Sequence, residues 1–378
     1  MSDFSVPIVK ITNVHPITGA DRIELATVLG YQSIIRKGQF SPGDLAVYIP
    51  EQALVPDSLL ESIGLKGKLA GSQANRVKAV RLRGKLSQGI LISIPPELAD
   101  KKEGDNVQSE LGIVKWEPPI PIHLAGEVTH LGGKTLKYDI ENIKRYPEVL
   151  QEGEEVVLCE KVHGTHVQIG ILPVLETKHP ELLDGHIFLI SKGLGAKGLV
   201  FKWNDVNQKN VYFRAFNSLT DENRRTLAQR IAHAPASSVK ACPFDFIDYV
   251  TPLYLFGEVY GIGVQDMGYG KTQPSLRFFD VYVGQPGIGR YLSVDEKISF
   301  FNFFGMEMVD ILYRGPFSRE VIDEHCTGNT VTGNGMHIRE GVVITPVKER
   351  RDDNLGRVIL KHINPDYLLR KGKVTEYN

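Results

Sequence analysis

The sequence predicts an α+β protein, with a small N-terminal β-barrel followed by a larger domain of antiparallel sheets and flanking helices. Short apolar runs rich in Val, Ile, Tyr and Phe recur along most of the chain, 37 Gly and 21 Pro punctuate them, and segments with helical spacing are few. The 378 residues suffice for two domains, each with its own core.

From Val6 to Ile94 the runs VPIVKI, RIELATVLG, YQSIIRKG, DLAVYIP, RVKAVRLRG and GILISIP follow one another. HPITGADR, FSPGDL and GLKGKLAGSQ provide the chain reversals between them. Five or six strands in so short a stretch predict a barrel of the OB type over residues 1–95. Residues 96–132, which begin within IPPEL, carry EPPIP and the polar run ADKKEGDN. Proline removes donors and favours extended chain, so this segment reads as a connector.

The second domain spans residues 133–378. KYDIENIKRYPEVLQ predicts a short opening helix, with Ile140, Ile143 and Leu150 near helical spacing and Pro147 as its stop. The runs EEVVLCEKV, HVQIGIL, HIFLISKG, PLYLFGEVYG, LRFFDVYV, EGVVITPV and RVILKHI then read as strands. Residues 220–233, capped by Thr220 or Asp221, and residues 293–305 read as helices.

Lys+Arg total 44 against Asp+Glu 45, a net charge of −1, which excludes a global positive field. Any nucleic-acid contact must then be local. Cys159, Cys242 and Cys326 lie far apart with no CxxC pair, which excludes a disulfide framework and a structural zinc site of the usual spacing. The N-terminus has no secretory pattern, and no apolar segment is long enough to span a bilayer. A soluble, cytoplasmic monomer is the expectation.

The stretch Cys159-Glu160-Lys161-Val162-His163-Gly164-Thr165-His166 places a lysine on a strand-to-strand turn, where Gly164 permits close approach of a phosphate or sugar. Such a lysine is a candidate nucleophile. With a free pKa of about 10.4, only about one lysine in 10³ is the amine at neutral pH, so activation asks for roughly 4 kcal/mol. Burial and neighbouring cations are the expected sources. Alone, KxxG marks an exposed hairpin lysine far more often than a nucleophile. Here it is followed in order by FGEVYG at 256–261, FFDV at 278–281, EGVVI at 340–344 and LKHIN at 360–364.

That order resembles the covalent nucleotidyltransferase superfamily of ATP-dependent ligases and capping enzymes. EKVHGT is similar to the form found in RNA-repairing ligases related to the phage enzyme that seals nicks in duplex RNA. With the barrel in front, the layout resembles the subgroup carrying an N-terminal OB domain. The resemblance implies a ligase-type fold for the second domain and an ATP-dependent RNA ligase activity. Lys161 would attack the α-phosphate of ATP, AMP would pass from it to a 5′-phosphate, and a 3′-hydroxyl would then displace AMP.

By the same resemblance Lys161, Glu258, Glu340 and Lys361 are the catalytic set, and Glu258 and Glu340 bind Mg²⁺ or Mn²⁺. Glu160, Lys161, Gly164, Lys192, Glu258, Phe279 and Lys361 hold the nucleotide, with Phe279 stacked on adenine. His166 faces RNA with 3′-hydroxyl and 5′-phosphate ends, as a nicked duplex or a structured RNA. Oxygen ligands without a histidine cluster suit magnesium better than zinc.

Several positions depart from the family pattern. Ile359 or Ile363 stands where the last motif has a second lysine, leaving Arg350, Arg351, Arg357 or Arg370 as substitutes. Thr345 stands where many relatives have lysine, His163 where aspartate is common, and His166 where the nick-sealing group has asparagine.

In the barrel, Arg76, Lys78, Arg81, Arg83 and Lys85 alternate partly with Val77, Val80 and Leu82, which predicts a cationic strip able to hold an RNA end, with Lys66 and Lys68 nearby. A solvated, charge-guarded edge strand is the bland alternative. Within the same chemistry the runner-up functions are an RNA-capping guanylyltransferase and a DNA ligase. Both usually place the OB domain after the transferase, and the eight residues beyond Arg370 leave no room for one. From another class, a tRNA-binding or other nucleic-acid-binding protein with an inactive transferase fold is favoured by the thinned last motif and opposed by the intact Lys161, Glu258 and Glu340.

Overall fold

The computed structural model of the protein describes residues 4–116, 127–173, 178–219, 229, 231, 244–247 and 250–370. The helix expected over 220–233 lies, but for residues 229 and 231, outside the described residues, as does Cys242.

In the N-terminal unit the strands Ile8–Lys10, Leu45–Ile49 and Ile90–Ile92 form one antiparallel sheet. Asn13–Pro16, Ile23–Val28 and Tyr31–Arg36 form a second. Along Leu45–Ile49 alternate side chains serve two cores: Val47 and Ile49 join Val6, Ile8 and Leu60, while Ala46 and Tyr48 join Ala26, Val28 and Ile35. Burial on both faces explains why this run is nearly continuously apolar.

The first part of the segment expected as connector is not free chain. Leu98, Val107 and Ile113 are buried in the first of these cores, and Val114–Lys115 pairs with Ala53–Leu54. Three apolar side chains that fill the barrel's end outweigh the prolines around them. Val128–His130 pairs instead with Leu199–Phe201 of the second unit.

The second unit is built on two five-stranded sheets. One runs in the order Glu141–Asn142, Leu360–Ile363, Gly341–Pro346, Glu155–Glu160, Ile311–Pro316, with only the first pair parallel. The other runs Ile187–Ser191, Thr165–Ile171, Leu253–Tyr260, Ser275–Val283, Arg290–Tyr291, all antiparallel. Glu155–Glu160 alternates as the first unit does, with Val156 and Leu158 in one core and Val157 and Cys159 in another. The helix Val294–Phe303 matches the expected 293–305 segment and starts at a capping box of Ser293 and Glu296.

The expected opening helix near Ile140 is instead the short strand Glu141–Asn142 and a single 3₁₀ turn, Ile143–Arg145. Asn142 accepts from Lys144 N at 3.0 Å, and its strand pairs with Leu360–Ile363. Ile140 packs on one core while Ile143 and Leu150 enter another, so the three never share a helical face.

Candidate active site

Lys161 leaves the end of the Glu155–Glu160 strand, and Gly164 closes the turn before Thr165–Ile171 begins. A side chain at Gly164 would run into the Val259 carbonyl, so the close approach of the turn to the neighbouring strand demands glycine. Lys161 N donates to Gly341 O at 3.0 Å, which locks the turn to the residue after Glu340. Across the first sheet Cys159, Val343, Lys361 and Asn142 are successive cross-strand partners, and all four line a cavity of about 350 Å³. From the second sheet the partners His166 and Glu258 line the same cavity, with Phe279.

Lys161 Nζ lies 2.6 Å from Glu340 Oε1. Burial pulls the Lys161 ammonium towards the neutral amine, but the Glu340 and Glu258 carboxylates outweigh it and raise its pKa. The expectation that burial and cations would lower this pKa is therefore corrected: in the free protein Lys161 is a paired ammonium. Burial acts against Glu340 too, yet the Lys161 ammonium at 2.6 Å, with His163 beside it, holds its carboxyl down at about 2. Glu258 is pushed up to about 8, chiefly by burial, with Glu340 adding to it against the opposing pull of Lys161.

The lysine that is lowered is Lys361, to about 8, by burial first and then by the fields of Lys192 and Lys161. Lys192 opens a short helix and sits 2.9 Å from Asp139, which also pairs with Lys115 at 3.4 Å. Among the arginines considered as replacements for the missing lysine, Arg350 pairs with Glu154, Arg357 with Asp280 and Glu349, and Arg370 with Asp266. Arg351 is exposed beside Arg350. Ile359 and Ile363 both line the cavity. The cations whose fields converge on Lys361 are Lys192 and Lys161.

A β-bulge aims Phe279 into the cavity. Phe256 pairs with Asp280 and Gly257 with Phe278, which leaves Phe279 as the extra residue turned into the cavity, while Phe278 is fully buried core. Phe279 lies 5.5 Å from the Tyr138 ring and 5.9 Å from His166. His166 lies inside the cavity, stacked on Tyr138 at 5.6 Å, with both ring nitrogens buried and unpartnered among the described residues. Burial, aided by Lys192, depresses its pKa to about 3, so the ring is neutral. Cross-strand pairing with Glu258 turns it inward.

His163 Nε2 lies 2.7 Å from Asp266, and its Nδ1 lies 2.8 Å from the Tyr367 hydroxyl and 3.5 Å from Glu340 Oε2. Asp266 thus orients a ring that braces Glu340. Glu160 turns its carboxylate away from Lys161 to accept from Val331 N and Thr332 N, each at 2.9 Å, fixing the loop beside the site.

The cationic strip of the barrel divides. Arg81, Arg83 and Lys85 are exposed on the hairpin of Val80–Leu82 and Lys85–Ser87, whose Arg83-Gly84 turn has φ of 49° and 79°, as a tight two-residue hairpin turn requires. Arg76 does not share that face. Its backbone bridges Ala70 and its guanidinium stacks 4.1 Å over Trp116, while Lys78 is half-buried. Lys66 pairs with Glu61 and Asp57 and adds no free charge to the strip.

Tyr138, Asp139 and Lys297 line the cavity and were not singled out in the sequence. The signal for Lys297 is its position on the buried face set by Val294, Phe300 and Phe301, where a lysine is out of place.

A sequence model of the RNA ligase family matches residues 154–363, and an OB-fold domain model matches residues 5–94. No curated protein matches the chain. Among solved structures, the chain resembles Naegleria gruberi RNA ligase with pyrophosphate, with a TM-score of 0.70 and 24% identity over 96% of this chain and 97% of that one. A lysine-to-alanine mutant of the same ligase, solved with ATP and Mn, gives a TM-score of 0.70 at 23% identity over 97% and 98% of the two chains. A glutamate-to-alanine mutant with AMP and Mn gives 0.70 at 24% over 96% and 97%.

Proposed function

The chain belongs to the RNA ligase family, and on that premise we propose that it joins 3′-hydroxyl and 5′-phosphate ends of RNA, using ATP, through a lysyl-AMP and a 5′-adenylylated RNA. The observation that carries this reading is one cavity lined by two chemically distinct sets of side chains: Lys161, Lys192 and Lys361 with Glu258 and Glu340, and Phe279, Tyr138 and apolar strand residues. A polyphosphate attached to a flat base matches that division.

Lys161 forms the N–P bond to the α-phosphorus as the bond to pyrophosphate breaks. Lys361 and Lys192 carry charge to the phosphates, where negative charge must be offset in the transition state. Before it attacks, Lys161 must lose a proton and leave Glu340. The two glutamates fit a divalent cation: the carboxyl of Glu258 is held up at about 8, and Glu340 Oε2 has no hydrogen-bond partner among the described residues. Bound by them, Mg²⁺ or Mn²⁺ would neutralise phosphate charge and compete with Lys161 for Glu340.

The exposed hairpin with Arg81, Arg83 and Lys85 supports a part for the barrel in holding RNA, as a nicked duplex or a structured RNA. No described helix is long and apolar enough to cross a membrane. We take the working form to be a cytoplasmic monomer. The test is sealing of a nicked RNA duplex carrying a 3′-hydroxyl and a 5′-phosphate, with ATP and Mg²⁺ or Mn²⁺. Sealing that accumulates a 5′-adenylylated strand when the 3′-hydroxyl is removed supports the reading. Absence of sealing on nicked, looped and single-stranded RNA alike would end it, and activity with GTP alone would redirect it to capping.

A further inference from the structure

Lys297 lines the cavity with 3% of its surface exposed, on the buried face of the helix Val294–Phe303. An ammonium has three donors, and a buried one is costly unless its hydrogen bonds are made. Among the described residues the carboxylate nearest its Nζ is Asp280, at 3.8 Å, beyond hydrogen-bond distance. Asp280 is already engaged: it accepts from Tyr138 at 2.8 Å and Val281 N at 3.1 Å and forms an ion pair with Arg357. Arg357 in turn is held by Glu349 and stacks 3.6 Å from the Tyr291 ring, so it cannot release Asp280 to Lys297. The Lys297 amine thus faces Asp280 without a hydrogen bond to it and is left with donors for whatever fills the cavity.

Resting on the ligase reading above, we infer that Lys297 is a base-recognition residue that donates a hydrogen bond to an acceptor nitrogen of the purine ring. The stacking groups Phe279 and Tyr138 fix the plane of the base and are indifferent to its edge; Lys297 reads the edge. A charge-assisted hydrogen bond in a buried site is among the stronger ones.

The test is equilibrium binding of ATP to the full chain by calorimetry, paired with adenylylation of Lys161. Wild type and Lys297→Met are compared for ATP and for its 1-deaza, 3-deaza and 7-deaza analogues, each lacking one ring acceptor. Lys297→Met is expected to weaken ATP binding roughly 10–100-fold, with the kinetic loss chiefly in KM and not in kcat. One analogue should bind wild type weaker by a similar factor and lose no further affinity in Lys297→Met. ATP binding within twofold of wild type in Lys297→Met, or equal binding of all three analogues and ATP by wild type, overturns the inference. Should Lys297→Met fail to fold, the analogue series on wild type decides alone. ATP binding with no label on Lys161 would fault the ligase reading while leaving Lys297 to the analogue series; no ATP binding at all would overturn both.

Discussion

The Lys161 ammonium and the Glu340 carboxylate lie 2.6 Å apart in a buried cavity, and each holds the other in its charged form. The free protein therefore stores its nucleophile as an ion pair. Third in that cluster is Glu258, which has no ion-pair partner of its own among the described residues and is pushed up by burial.

Glu258 predicts a pH-dependent stability. Its folded pKa is about 8, against about 4.3 for a free glutamate. The folded state holds a proton that the unfolded state releases, so the stability tied to Glu258 is complete below about pH 4.3 and is lost as pH rises through about 8. In the metal-free protein Glu258→Gln should raise Tm at pH 8.5 by roughly 2–4 °C per kcal/mol relieved, with the difference shrinking towards pH 5. Thermal scans across that range check it, and a difference that widens in acid would contradict it.

Lys361 predicts a pH dependence of nucleotide binding. Its pKa of about 8 in the free protein means that its charge disappears as pH climbs past that value. Affinity for ATP should fall above about pH 8, and Lys361→Arg, charged throughout, should remove that decline. KM for ATP measured from pH 6.5 to 9.5 in both proteins is the check. An unchanged profile in the arginine variant would rule out Lys361 as the titrating group.

Two adjacent phenylalanines should behave in opposite ways. Phe278 is core, and Phe278→Ala should cost about 3–5 kcal/mol of stability. Phe279 is turned into the cavity by the bulge, and Phe279→Ala should weaken ATP binding about tenfold or more with little loss of stability. Denaturant unfolding and ATP titration of the two variants distinguish them.

Replacing Arg81, Arg83 and Lys85 together with Ala should leave labelling of Lys161 by ATP intact but lower RNA affinity. The slope of log affinity against log salt should flatten by about 0.7–0.9 for each phosphate that the hairpin no longer neutralises. An unaltered slope would assign the hairpin to the solvated-edge alternative.

Strand periodicity made most of the fold legible. The run EEVVLCEKV became Glu155–Glu160 because alternate residues are claimed by two different cores, and PLYLFGEVYG became Leu253–Tyr260, whose successive residues Leu253 to Phe256 are all buried. The strand Ile311–Pro316 was not legible: a glycine and a proline end it, and its pairing with Glu155–Glu160 carries it. The barrel's extension to Lys115 was hidden for a similar reason, since Val107 and Ile113 stand in a short stretch of polar and charged residues between two proline pairs. In the site, residue types and order pointed to Lys161, Glu258, Glu340 and Lys361, but the sign of the Lys161 shift depends on distances to two carboxylates that no motif states. The inward position of His166 and the stacking of Arg76 on Trp116 were not legible, because whether a polar side chain points inward depends on the cross-strand partner and on aromatic neighbours far along the chain.

The most direct test of a ligase that works through Lys161 is mass spectrometry of the protein after incubation with ATP and Mg²⁺ or Mn²⁺. The protein should gain one AMP per chain, located on the peptide containing Lys161, released by pyrophosphate and absent in Lys161→Ala. An AMP adduct on another residue, or one that persists in Lys161→Ala, would contradict it.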